Sequence, residues 1–71
     1  MSMIDDLRAA VGEIAADHDF EVVYAGSKYE VTIFRFCGAN VNFTLSTKVV
    51  KDRGGELGEV VRERVGAYFH S

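Results

Sequence analysis

The sequence predicts an α+β fold in the order α-β-β-β-α, a three-stranded antiparallel meander with two helices packed on one face. Three observations carry that prediction. Apolar residues recur at helical spacing near both ends, at Ile4, Leu7, Val11 and Ile14 and again at Leu57, Val60, Val61, Val65 and Tyr68. Between them, three runs alternate with a period of two. Short turn-like segments, Ala25-Gly26-Ser27-Lys28 and Cys37-Gly38-Ala39-Asn40, join the runs, and connections so short leave only antiparallel neighbours.

The first helix is expected from Ser2 to about Asp17. Ser2 reads as its N-cap, and Asp5 and Asp6 stand in the first turn, where the helix dipole favours acids. His18 continues the apolar stripe one turn past Ile14. It reads as a packing residue at the helix end, because no second histidine or cysteine lies at metal-ligand spacing. The first strand, Phe20 to Tyr24, sets Phe20, Val22 and Tyr24 against Glu21 and Val23.

In the second strand, Tyr29, Val31, Ile33 and Arg35 share one face while Glu30, Thr32, Phe34 and Phe36 share the other. Apolar side chains on both faces predict a central strand with a bulge near Phe34, or an apolar patch on the outer face. The third strand sets Val41, Phe43 and Leu45 against Asn42, Thr44 and Ser46, a clean core-facing and solvent-facing pair. From Ser46 to Gly55 the pattern becomes irregular. The last helix is expected from about Glu56, with Gly66 weakening or ending it and Glu59, Arg62, Glu63 and Arg64 pairing on its outer side.

A chain of 71 residues makes a single domain, residues 1–71, and buries only about 60% of the surface its unfolded form exposes. Its composition, 48% hydrophobic and 27% charged, excludes a disordered or fibrous class. The single cysteine, Cys37, has no partner for an intramolecular disulfide. Acids at Asp5, Asp6, Glu13, Asp17 and Asp19 interrupt any apolar core of a signal peptide. No run approaches the roughly 18 apolar residues that span a bilayer. A cytoplasmic location without membrane contact is the expectation, in the parent cell or after delivery by a phage or plasmid.

The candidate chemistry is sparse. Cys37 has no sequence reason to meet His18 or His70, ligands are too few for a metal, and no cofactor motif is present. Gly54-Gly55 lacks the lysine and hydroxyl that follow the glycines of a phosphate loop, and reads as a flexible lead into the last helix or a weak anion site. A non-enzymatic role is therefore expected. Charge is what remains. Residues 1–27 hold one base against six acids, −5, while residues 28–71 hold seven bases against five acids, +2, for the overall −3.

In a meander Lys28 and the trio Lys48, Lys51 and Arg53 fall at the same end, a small basic patch suited to phosphate contacts with RNA. Against it stand Asp5, Asp6, Glu13 and Asp17 of the acidic helix with the aromatics Phe34 and Phe36, an acidic rim and apolar centre suited to a protein partner or to self-association.

The order of elements, with the strand Phe20 to Tyr24, the turn Gly26-Ser27, the strand ending Val41-Asn42-Phe43-Thr44-Leu45, and Gly55-Glu56-Leu57 leading into Val60-Val61-Arg62 and Gly66, resembles the small HicA messenger-RNA-cleaving toxins. The resemblance runs from Ile4 to Gly66. It implies a double-stranded-RNA-binding-like fold and RNA as a ligand. In that family a histidine follows the glycine-serine pair and is thought to act in cleavage, whereas Lys28 stands here. A lysine of ordinary pKa, near 10.4, stays protonated at neutral pH, so it holds a phosphate but does not serve as a general base. Two expectations follow. The first is an interaction protein that binds and inhibits or regulates a host protein; the alternative is an RNA-binding relative of these toxins without their cleavage chemistry.

Overall fold

The structure, a computed structural model, describes residues 3–36 and 38–70. The expected cap Ser2 and the turn residue Cys37 lie outside the described residues, as does the side chain of His70. Helix α1 (Met3–Ile14) leads into strands β1 (Phe20–Ala25), β2 (Lys28–Phe36) and β3 (Ala39–Ser46). Helix α2 (Thr47–Asp52), a 3-10 turn (Gly54–Glu56) and helix α3 (Leu57–His70) follow. The sheet is antiparallel in the order β1-β2-β3, the expected meander.

Period-two alternation directs one set of side chains to the helices. Val22, Tyr29, Val31, Ile33, Val41 and Leu45 are buried on that face. They meet Leu7, Ala10, Val11 and Ala15 from α1, Val50 from α2, and Leu57, Val60, Val61 and Val65 from α3. The helical stripes thus close on the apolar face of the sheet, the layering that removes most apolar surface from water. Helix α1 packs on β1 and against α3, while α2 and α3 cover β3. The opposite face stays open to solvent, with Glu21, Val23, Glu30, Asn42 and Thr44 exposed. There the Asn42 amide donates to Thr32 Oγ1 at 2.8 Å.

The β1–β2 hairpin fixes the register. Ala25 stands opposite Lys28, leaving Gly26 and Ser27 as a two-residue turn. Gly26 has φ 75°, the sign required at the first central position of a type II′ turn, where any side chain is strained.

Three expectations need correction. Helix α1 ends at Ile14, not near Asp17, and the following turn is closed by His18 N–H donating to the Ala15 carbonyl at 3.0 Å. The irregular stretch from Ser46 is largely helical: Ser46 caps α2 by accepting from the Val49 N–H at 3.2 Å, and Val50 is buried. Six residues are too few to display a helical period, and the β-branched pair Val49-Val50 argues locally for strand; burial of Val50 overrides that preference. Gly66 does not end α3, which continues to His70. An interior glycine costs about 1 kcal/mol, less than the packing of Val65 on one side and the anchoring of Tyr68 on the other supply together.

Candidate functional site

At one end of the sheet β2 carries an extra residue. Ile33 pairs with Val41 and Phe36 with Ala39, so Phe34 and Arg35 oppose Asn40 alone. This is a β-bulge, a device that bends a strand and re-aims its side chains. Arg35 takes φ 58°, the only positive value among the described non-glycine residues. Its backbone N–H, turned out of the ladder, donates to Asn40 Oδ1 at 3.0 Å. The Asn40 carbonyl in turn accepts the Tyr68 hydroxyl at 2.9 Å, which ties the end of α3 to the bulge. On the other side the Phe34 N–H donates to the Asp19 carbonyl at 2.8 Å, extending the β1 ladder one residue beyond the strand.

The extra residue breaks the alternation. Phe34 stays on the outer face, 36% exposed, while Phe36 turns to the helix side and packs half-buried against the core. Strict alternation puts both rings on one face; the left-handed Arg35 separates them. Phe36 stands 5.1 Å from the His18 ring, edge-on, and 6.1 Å from Phe69, which meets Tyr68 at 5.4 Å. Tyr68 and Phe69 remain 41% and 42% exposed. A concavity of about 420 Å³ at the bulge is lined by Asp17, His18, Asp19, Phe34 and Arg35.

The structure therefore gathers Asp17, Phe34 and Phe36 at the bulged end, with Glu13 exposed in the preceding turn of α1. Asp5 and Asp6 are at the other end of α1, where Asp5 pairs with Arg8 at 3.7 Å. Arg35, Tyr68 and Phe69 belong to the same surface and were missed by the sequence reading. The bulge expected near Phe34 was the available signal for Arg35. For Tyr68 the helical stripe that runs on from Val65 was a signal, weakened by the glycine at 66; for Phe69 there was none.

The basic residues divide as well. Lys28 stands opposite Ser46, the cap of α2, and the Thr47 N–H donates to the Ser27 carbonyl at 3.1 Å. Exposed Lys48 and Lys51, three apart on α2, lie just beyond that junction, so these three lysines share the hairpin end. Arg53 is engaged elsewhere: its guanidinium meets Glu56 at 3.1 Å and Glu63 at 3.5 Å. The hydrogen bond to Glu56, with the charges of Glu63 and Glu56, outweighs desolvation and raises its pKa above the usual arginine value. Arg53 thereby fastens the 3-10 turn to α3, a structural use of its charge.

In comparisons with known proteins the chain matches no family model, no curated protein and no solved structure. No helix among the described residues is long and apolar enough to cross a membrane. The bulged end sets groups of three chemical kinds near one another. Exposed aromatic faces accept apolar groups, Asp17 and Asp19 accept basic ones, and Arg35, without an ion pair among the described residues, offers a planar fork to a carboxylate.

Proposed function

We propose that the protein is a small non-enzymatic interaction module that binds a partner protein through the bulged end of its sheet and thereby inhibits or regulates it. One observation carries this reading: a solvent-exposed arginine is held in left-handed backbone beside exposed aromatic rings. Such a conformation costs about 1–3 kcal/mol for a non-glycine residue and tends to mark sites where recognition needs it. Phe34, Tyr68, Phe69 and Arg35 are also of the residue types that dominate binding energy in protein interfaces. The partner's chemistry follows: an apolar side chain to cover Phe34 or the pair Tyr68 and Phe69, a carboxylate for Arg35 and a base for Asp17 or Asp19. Carried by a phage or plasmid, such a module would act by occupying a binding surface of a host protein.

The test is affinity capture with the wild type, Arg35→Gly and Phe34→Ala, followed by titration of the purified captured protein. Wild-type binding that both folded variants lose supports the reading. Equal retention by all three proteins sinks it.

A second reading rests on the pairing of Lys28 with Ser46, which brings Lys28 to Lys48 and Lys51. Three lysines so placed suit an RNA backbone, the ligand that the likeness to HicA toxins implies. Fluorescence anisotropy with single- and double-stranded RNA at about 50 and 200 mM salt tests it. Three phosphate contacts predict affinity about 20- to 40-fold weaker at the higher salt, with binding abolished when the three lysines become glutamate. Failure to bind at the lower salt removes this reading.

A further inference from the structure

We propose that the free edge of β1 takes up an extended, basic segment of a partner protein as a fourth strand. The two-residue hairpin at Ala25 and Lys28, with the bond from Phe34 N–H to the Asp19 carbonyl, assigns the backbone groups of Asp19, Glu21, Val23 and Ala25 to β2. By antiparallel alternation, the N–H and C=O groups of Phe20, Val22 and Tyr24 point away from the sheet. No strand among the described residues pairs with that edge. Native edges are commonly blunted by lysine, proline or a bulge. β1 has none of these over its six residues. The opposite edge differs: β3 begins at the bulge, and its Asn40 carbonyl is already taken by Tyr68.

Beside this edge runs a groove of about 500 Å³ between α1 and β1, with Ile4, Phe20 and Val22 among its apolar lining and Arg8 and Glu21 at its sides. Tyr24, 55% exposed, and Val23, 42% exposed, lie on opposite faces of the strand, so an added strand finds apolar neighbours on both sides.

Charge decides the occupant. Glu21 lines the groove, and its one base, Arg8, is already paired with Asp5. A second copy docked edge to edge would bring two segments of charge −5 together; a strand alternating apolar residues with lysine or arginine is attracted instead. This edge is separate from the bulged end and does not depend on the reading given to it.

Anisotropy titrations of the whole protein test the inference with labelled peptides: alternating valine and lysine, alternating valine and glutamate, and the valine-lysine peptide N-methylated at every second residue. The valine-lysine peptide is expected to bind, to slow hydrogen exchange at Phe20, Val22 and Tyr24, and to lose at least about tenfold in affinity on N-methylation or against Glu21→Lys. Arg35→Gly should leave it unchanged. Equal binding of the glutamate peptide, indifference to N-methylation, or no binding by any peptide overturns the proposal. So does a concentration-dependent dimer that Tyr24→Pro dissolves, since the edge would then belong to a second copy.

Discussion

The Arg35 backbone N–H donates to the Asn40 side-chain oxygen at 3.0 Å, across a bulge in which Arg35 itself stands in left-handed backbone at φ 58°. Neighbouring hydrogen bonds thus hold a conformation that the residue would not choose alone.

Arg35→Gly should raise stability. Relief of left-handed strain is worth about 1–2 kcal/mol, and the greater freedom of glycine in the unfolded chain takes back about 0.5–1 kcal/mol. A net gain of about 0.5–1 kcal/mol is expected in urea denaturation. A destabilised variant would mean that the arginine side chain, not the backbone, holds the bulge.

Asn40→Ala and Tyr68→Phe each remove one hydrogen bond from the clamp, at about 0.5–1.5 kcal/mol apiece. Both bonds converge on Asn40, so the double variant should cost less than the sum of the two. Strict additivity in a double-mutant cycle would show that α3 and the bulge are held independently.

Leu7 is fully buried between α1 and the sheet. Leu7→Ala should cost about 2–5 kcal/mol, much of the stability of so small a domain. An unchanged thermal midpoint would refute the packing of α1 described above.

Ser46→Ala should cost about 1 kcal/mol through loss of the α2 cap, while Ser46→Gly should cost only a few tenths. Thermal melts of the two variants compare them directly. Equal losses would assign the effect to the strand rather than the cap.

Several features were legible from local pattern. The stripe Ile4, Leu7, Val11, Ile14 and the alternation Val41, Phe43, Leu45 each repeat often enough to reveal a period. Gly26-Ser27 between two alternating runs announced its own turn. A bulge near Phe34 was one of two alternatives that the apolar residues on both faces of β2 left open, the other being an apolar patch on the outer face, and local pattern alone could not tell which ring would turn inward. Helix α2 and the anchoring of α3 were not legible, because Val50 is buried against, and the Tyr68 hydroxyl bonds to, partners distant in the chain.

The sequence by itself determined the α+β order, the meander and the apolar stripes that carry much of the core, since these follow from periodicity, and periodicity is local. Only the tertiary structure decided that Phe34 and Phe36 part company, that Arg53 is spent on Glu56 and Glu63, and that Arg35 joins Tyr68 and Phe69 at one end. Those outcomes depend on register and on contacts between residues far apart in the chain, whose energies no short window of sequence contains.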